Sequence, residues 1–252
     1  MVGDRVAVTD DVGGPHWARS AAPRWAAYVG AVLGLLVVQR LVSDLGDAAA
    51  RRVDTRWADP TQWWAPLSVH HLTQGALTLG LLLVCARCLR LDVALRVGDA
   101  RAGLRAVGWF TLAYGGYLLA LYTVRHGLGL GAAVDVPPDA GTTVGYLGFQ
   151  LLLSGPAEEL AFRALPLAVL AAVGPPGRRW RVLDVLVAST LFALAHVTVR
   201  AGVVTADPGQ LATAFVLGTV QGLVLQRTRS VLYPMAIHSV SNVMAVSAAV
   251  LA

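Results

Sequence analysis

Six polar side chains that could move or stabilise charge lie within apolar stretches of the second half of the chain. They are Glu158, Glu159, Arg163, His196, His238 and Asn242. The two glutamates are the only glutamates in the sequence. An ionisable side chain at the centre of a membrane-spanning helix costs about 2.5–3.5 kcal/mol on insertion scales, so such residues persist there with partners or with a task.

The first three of these residues have a spacing that separates the two carboxylates. Glu159 and Arg163 are four residues apart, so they share one helix face and can form an ion pair. Glu158 points about 100° away from Glu159 and is left without a local counter-charge, which suits a general base. Pro156 indicates a helix start or kink that frees backbone groups and makes room for water.

The other three residues lie on two later segments. His238 and Asn242 are one helical turn apart, and both side chains can donate to a single point, as an oxyanion hole requires. Phe192 and His196 have the same spacing, which allows the ring to pack beside the imidazole. We expect His196 to hold a nucleophilic water together with Glu158.

Each of these elements also has a purely structural interpretation. His196 and the His238–Asn242 pair could serve only as hydrogen-bond partners between helices. The Glu159–Arg163 pair could be a buried salt bridge that fixes helix register. The occurrence of all three elements on three segments within 85 residues favours an active site.

Transmembrane helices are predicted to position these residues. The chain of 252 residues is 56% hydrophobic and 14% charged, with a mean hydropathy of +0.62, far outside the range of a soluble domain. Apolar windows predict an all-α, polytopic transmembrane helical bundle of about seven spans. They lie near 25–45, 67–86, 107–124, 143–172, 182–201, 210–226 and 231–252.

We expect three parts along the chain: a cytoplasmic N-terminal tail at 1–24, N-terminal transmembrane helices and connectors at 25–142, and a catalytic transmembrane core at 143–252. The distribution of arginines favours a cytoplasmic N-terminus. The first apolar segment is expected to stay as an anchor, although its removal by cleavage remains open. The stretch 91–107 fits either an amphipathic helix at the membrane surface or a charged cytoplasmic loop.

Several other features argue against alternative chemistry. All 20 basic residues are arginines, and they are scattered through connectors, which does not fit nucleic-acid binding. Cys85 and Cys88 are the only cysteines and cannot fill a four-ligand zinc site, so we expect them to pack between helices. His70 and His71 are adjacent and cannot both face one site, so we assign them to hydrogen bonds between helices.

Three motifs resemble, in order and spacing, those of the CPBP family, also called Abi, which comprises type II CAAX prenyl endopeptidases and bacteriocin-processing relatives. The motifs are Glu158-Glu159-x-x-x-Arg163, Phe192-x-x-x-His196 and His238-x-x-x-Asn242. Phe215-x-x-Gly218-x-x-x-Gly222 also fits, and its glycines would let two helices approach closely. The resemblance covers roughly 143–252.

The resemblance implies an intramembrane endopeptidase that needs no cofactor and acts on a membrane-associated peptide or protein in the lipid bilayer. It assigns water activation to Glu158 and His196. It assigns the oxyanion to His238 and Asn242, and support of the site to Glu159 and Arg163. We expect a multi-pass protein of a bacterial cell membrane; the resemblance says nothing about prenylation of the substrate or the oligomeric state.

Three alternatives stay open. Two histidines and a glutamate could bind zinc, but the chain lacks His-Glu-x-x-His and Asn242 is a poor zinc ligand, so a metal-free site is preferred. A non-enzymatic membrane scaffold or immunity-type protein could use the same fold. A proton or ion pathway could use the same carboxylates, although two carboxylates on one helix do not form a chain across the bilayer.

Overall fold

The computed structural model describes residues 24–131, 135, 137–175, 177–200 and 203–251. The expected tail at 1–24 therefore lies outside the described residues, except for Arg24, which begins the first helix. The described chain forms seven helical segments. They are α1 (Arg24–Arg52), α2 (Ala65–Cys88), α3 (Ala100–Gly127), α4 (140–173), α5 (Arg178–Leu194), α6 (Pro208–Thr228) and α7 (Leu232–Leu251).

Aspartates mark the start of three of these helices. The carboxylates of Asp99, Asp139 and Asp207 accept hydrogen bonds from backbone N–H groups in the first turns of α3, α4 and α6. These N–H groups have no partner within the helix, so a capping oxygen stabilises each helix end. The positions of the caps explain why the connectors before these helices end where they do.

The prediction of an all-α membrane bundle is confirmed. A helix lies at each of the seven predicted spans, and five helices are by themselves long and apolar enough to cross a membrane: α1, α2, α3, α6 and α7. Large apolar side chains face outward, such as Leu112 and Leu119 on α3, which are 69% and 72% exposed. Exposed apolar surface on this scale fits contact with lipid.

Helix α4 is not uniform. It is α-helical at Ala140–Phe149, Gly155–Glu159 and Leu165–Val173, and it has π turns at Gln150–Ser154 and Leu160–Ala164. A proline follows each π turn, Pro156 after the first and Pro166 after the second. Proline lacks the N–H that an α-helix needs and clashes with the carbonyl four residues earlier, and wider turns remove both problems. The predicted start or kink at Pro156 is thus a change of turn within a continuous helix.

Glycines allow helices α5 and α6 to approach closely, as predicted. A Cβ at Gly222 would lie 2.9 Å from Val185 Cγ1, and one at Gly218 would lie 3.3 Å from Ser189 Cα. The main apolar core lies beside this contact, where α4 packs between α1, α2 and α5; Leu82, Leu170 and Val185 are almost completely buried there.

The stretch 91–107 is not an amphipathic surface helix. Residues before Ala100 form a loop, and the rest belongs to α3. The loop is held by backbone hydrogen bonds from Val231 N to Ala94 O and from Asp99 N to Thr228 O. Apolar side chains of the loop are buried in the main core, so this connector is part of the packed structure.

Two further segments differ from or qualify the predictions. The fifth helix ends at Leu194, and a short antiparallel hairpin follows, with β1 (Thr198–Arg200) paired to β2 (Val203–Thr205). The fifth span was therefore predicted too long at its C-terminal end. Cys85 packs against the main core as expected, whereas Cys88 is exposed.

Candidate active site

Two close helix contacts bring the polar residues together. A Cβ at Gly155 on α4 would lie 2.6 Å from Ser239 Oγ and 2.9 Å from Ser239 N, so α4 touches α7 next to His238. A Cβ at Gly75 on α2 would lie 3.4 Å from Ala157 Cβ, so α2 passes α4 beside the glutamates. Both contacts fall within or next to the segment between the two π turns.

Glu159 and Arg163 form the ion pair that their spacing predicts. Arg163 Nη1 lies 3.2 Å from Glu159 Oε1, and both side chains are completely buried. Arg163 also donates through Nη2 to Oε1 of Gln221 on α6, and its Cζ lies 4.0 Å from the ring centroid of Phe192. An arginine held by a carboxylate, an amide and an aromatic face is fixed in place.

His238 is oriented by the same carboxylate. Its Nδ1 donates to Glu159 Oε1 at 2.7 Å, and its Nε2 lies 3.7 Å from Glu158 Oε2. Because a carboxylate oxygen accepts the Nδ1 hydrogen, Nε2 carries the lone pair in the neutral ring and donates only when the ring is an imidazolium.

Glu158 is not without a local partner, contrary to the sequence prediction. Its Oε1 lies 3.0 Å from His71 Nε2 and 3.4 Å from Ser154 Oγ, and its Oε2 faces His238. The side chain is 18% exposed, whereas that of Glu159 is fully buried. Spacing along one helix could not show this partner because His71 is supplied by α2.

His196 lies just beyond the end of α5 and not within a span as predicted. Its Nδ1 donates to the Phe192 carbonyl at 2.9 Å, so Nε2 carries the lone pair of the neutral ring. The Phe192 ring meets the rings of both His196 and His238 edge to face, at centroid distances of 4.8 and 5.9 Å. The predicted packing of Phe192 beside His196 is thus confirmed, and the phenylalanine also separates the two histidines.

Asn242 is close to the site but is turned towards other residues. Its Nδ2 donates to Gln150 Oε1 at 2.8 Å and to Ser154 Oγ at 3.2 Å. The structure therefore does not bring the Asn242 and His238 donors to one point. Ser154 connects Asn242 to Glu158, so a small rotation of the amide would change the hydrogen bonds on both residues.

His71 is the site residue that the sequence interpretation missed. The adjacent pair was set aside because two neighbouring side chains cannot both face one site, but one of them is enough. His70 turns away and pairs with Asp47 at 2.8 Å, while His71 turns towards Glu158. His71 lies one helical turn before Gly75, but only the structure shows that this face of α2 approaches α4.

The arrangement is suited to proton transfer next to a held carboxylate. When Glu158, Glu159 and Arg163 are all ionised they carry one net negative charge, and the rings of His71 and His238 both lie beside it. Within the described ranges, no group of three His, Cys, Asp or Glu side chains is arranged to hold a metal ion. Carboxylate and imidazole side chains are the groups that general acid–base catalysis most often uses.

The fold and the site together define a helical membrane protein with a cluster of carboxylates and histidines. In this cluster Glu159 is fully buried and Glu158 is partly accessible. The family model for type II CAAX prenyl endopeptidase Rce1-like matches residues 140–244. The match confirms the similarity to the CPBP family inferred from the three motifs, and the matched segment contains all six predicted site residues. The chain is therefore similar to CAAX-type intramembrane proteases. This similarity supports the assignment of the chain to the proteases, which are hydrolases. No curated protein and no solved structure matches the chain.

Proposed function

We propose that this protein is an intramembrane endopeptidase that hydrolyses a peptide bond of a membrane-associated peptide or protein. The observation that carries the proposal is the position of Glu158. Its carboxylate is partly accessible, and its Oε2 lies 3.7 Å from His238 Nε2. The other nitrogen of the same ring bonds to Glu159, which is fully buried and paired with Arg163. This arrangement lies in the segment that is similar to a family of endopeptidases.

The nucleophile in this proposal is water. A water within about 2.8 Å of both Glu158 Oε2 and His238 Nε2 is compatible with the distance between these atoms. The Glu158 carboxylate takes one proton from this water, and His196 helps to hold it. No serine or cysteine nucleophile is needed, so the reaction has no covalent intermediate with the enzyme.

The remaining steps follow from the balance of protons. The water oxygen forms a bond to the peptide carbonyl carbon, and the carbonyl electrons move to the oxygen. His238 as an imidazolium and Asn242, after release from Gln150, donate hydrogen bonds to this oxyanion. The C–N bond then breaks, and the leaving amine takes the proton held by Glu158. Glu159 and Arg163 keep His238 oriented throughout.

We further propose that residues 143–252 form the catalytic core and that the protein acts in the cell membrane of a bacterium on a substrate held in the lipid bilayer. The proposal requires neither a prosthetic group nor nucleic acid. The name of the matching family refers to a CAAX substrate, and we do not assign that substrate to this chain.

A comparison of wild-type and Glu158→Ala cells tests the proposal. The membrane proteome and the secreted peptides of both strains are measured, with Glu158→Gln as the variant of equal size. We expect one or more peptides to be released only by the wild type, with the same amount of each variant in the membrane. A purified Glu158→Ala protein with full turnover would overturn the assignment of the base. If Glu158→Ala cells release the same peptides as the wild type and keep the same phenotype and partner binding, a non-enzymatic scaffold would be favoured.

A further inference from the structure

His71 occupies a position with two hydrogen-bond acceptors and one ring. Its Nδ1 lies 2.8 Å from the carbonyl oxygen of Leu67, and its Nε2 lies 3.0 Å from Glu158 Oε1. A carbonyl oxygen can only accept, so Nδ1 carries a hydrogen. A neutral ring then has its lone pair on Nε2, opposite another acceptor if Glu158 is a carboxylate.

Two acceptors at 3.0 Å need a hydrogen between them. The proton is either on His71, which makes an imidazolium facing a carboxylate, or on Glu158, which makes a carboxylic acid facing a neutral ring. In both cases the two residues share one proton, and the form that can act as the base is the one in which His71 holds the proton and Glu158 is a carboxylate. The side chains are only 12% and 18% exposed, so solvent does not replace this contact.

We propose that His71 is a positioning residue for Glu158: it holds Oε1 and shares one proton with it, so that Oε2 faces the reacting water. This inference rests on the proposed function. It extends the site to α2, which lies outside the segment matched by the family model. The N-terminal helices then supply part of the active site as well as its surroundings.

The surroundings of His71 favour this role over simple packing. The ring is fixed against Phe149 on α4, edge to face at a centroid distance of 4.9 Å. The charged and titratable groups described around the pair are of two kinds. His70 and Asp47 lie on the α1–α2 side, and the groups near Glu158 are His238, His196, Arg163 and Tyr146. Among these, His71 makes the shortest contact with Glu158.

His70 provides a matched control. It is the next residue on the same helix, has a similar side-chain exposure of 15%, and pairs with the carboxylate of Asp47. It faces α1 and makes no hydrogen bond to Glu158 among the contacts of the described chain. The same substitution at the two positions therefore separates an effect on Glu158 from an effect on the packing of α2.

The first experiment measures ring nitrogens by NMR. The wild type, Glu158→Gln, His71→Gln and His70→Gln are labelled with ¹⁵N-histidine, and the signals are assigned by their loss in each histidine variant. We expect Glu158→Gln to change the chemical shifts of both His71 nitrogens and to change those of His70 much less, because His70 bonds to Asp47 and not to Glu158. Unchanged His71 nitrogens in folded Glu158→Gln would overturn the shared proton. This measurement needs no substrate. The His71 variant is used only to assign the signals.

The second experiment measures turnover in proteoliposomes with a quenched fluorescent peptide that ends in a farnesylated CAAX sequence, and with the unmodified peptide. His71→Phe keeps a ring against Phe149 but removes the contact to Glu158. We expect kcat to fall about 100-fold, the usual scale for a misplaced catalytic group, with KM nearly unchanged. His71→Gln, which can donate but cannot carry the charge, should lose less activity and show a changed pH profile. His70→Phe should retain wild-type kcat.

The variants also separate failure of the inference from failure of the proposed function. If Glu158→Gln is inactive and folded His71→Phe has wild-type kcat and pH profile, His71 does not position Glu158, and the inference is wrong. If Glu158→Gln has wild-type turnover, the proposed base is wrong, whereas the NMR result still decides whether the proton is shared. If neither peptide is cleaved, the NMR result alone decides the inference.

Discussion

One oxygen of Glu159 serves two residues on different sides: Oε1 accepts from His238 Nδ1 at 2.7 Å and lies 3.2 Å from Arg163 Nη1. The same atom therefore orients a ring of the site and balances a buried cation. Because Glu159 and Arg163 are both fully buried, removing one charge leaves the other unpaired in a medium of low dielectric constant.

Glu159→Gln should reduce the free energy of unfolding by about 3–5 kcal/mol, the cost of breaking a buried pair by removing one partner. The double variant Glu159→Gln/Arg163→Met removes both charges and should lose less than the two single variants together. Unfolding in detergent, followed by circular dichroism for the wild type and the three variants, gives the coupling energy. Additive losses would contradict a stabilising interaction between the two residues.

Asn242→Ala tests the oxyanion role directly. If the amide donates to the oxyanion after leaving Gln150, its loss should lower kcat about 10²–10³-fold, as for other oxyanion-hole donors. Gln150→Leu is the control, because it removes the acceptor of the same hydrogen bond and leaves the donor free. Equal small effects of the two variants on kcat would show that Asn242 is only structural. Thermal unfolding checks that both variants are folded.

Gly155→Ala should separate α4 from α7. The new Cβ would lie 2.9 Å from the backbone nitrogen of Ser239, which cannot move as a side chain can. Overpacking of this kind costs about 1–3 kcal/mol, and the shift should also lower activity because His238 is adjacent. Gly148→Ala on the same helix meets no atom within 4 Å and should leave stability unchanged or raise it. Equal melting temperatures for the two variants would contradict the close contact.

Asp59 gives a prediction about pH outside the spans. This carboxylate is 2% exposed and accepts from Thr61 Oγ1, Trp64 N and Ala65 N at 2.6–2.9 Å. Burial raises the pKa of Asp59, but the hydrogen bonds together outweigh burial and leave the pKa below its ordinary value. A carboxylate with a lowered pKa stabilises the fold above its unfolded-state pKa and loses this effect as the pH falls through its folded-state pKa.

Asp59→Asn should therefore lower stability at pH 7 by about 1–3 kcal/mol, and its difference from the wild type should shrink only below the ordinary aspartate range. Asp54→Asn, in the same connector, is the control because Asp54 is exposed and accepts from Arg56 N. Melting temperatures in detergent at pH 7, 5 and 3 measure both effects. A constant difference between Asp59→Asn and the wild type at all three values would contradict this account.

A chelator tests the metal-free mechanism. We expect the enzyme to keep its turnover after extensive treatment with ethylenediaminetetraacetate or 1,10-phenanthroline, because in the proposed mechanism Glu158 and the histidines act by proton transfer. The control is a second portion of the treated protein with zinc restored in slight excess. Activity that disappeared with the chelator and returned with zinc would replace this mechanism by a zinc-bound water.

The sequence was sufficient where the physical signal is local. Long apolar runs predicted the helices, because the membrane requires about 20 apolar residues in each span. The four-residue spacing predicted the Glu159–Arg163 contact, and the glycines at 218 and 222 predicted a close approach of two helices, which the structure shows to be α5 and α6. Each of these features depends either on the spacing of residues within one helix or on the apolar composition that a membrane span requires.

The sequence was insufficient where partners come from distant segments. His71 and Glu158 are 87 residues apart, and no local pattern indicates that α2 passes α4 at Gly75. The direction of the Asn242 amide depends on Gln150, on another helix, in the same way. The loop before α3 was ambiguous because its charged residues suggested a surface position, whereas its apolar residues are buried in the main core.

The two π turns of α4 also bear on how this segment can change in evolution. A π turn contains about one residue more than an α turn, and each residue of an α-helix turns the chain by about 100°. Deletion of one residue within 150–154 or within 160–164 would leave an α turn in place of the π turn and keep the flanking segments facing the same neighbours. Deletion of one residue from an α-helical segment of α4 would instead rotate one side of the helix by about 100° and change which side chains face α2 and α7. Single-residue deletions within α4 should therefore be found at the π turns rather than in the α-helical segments.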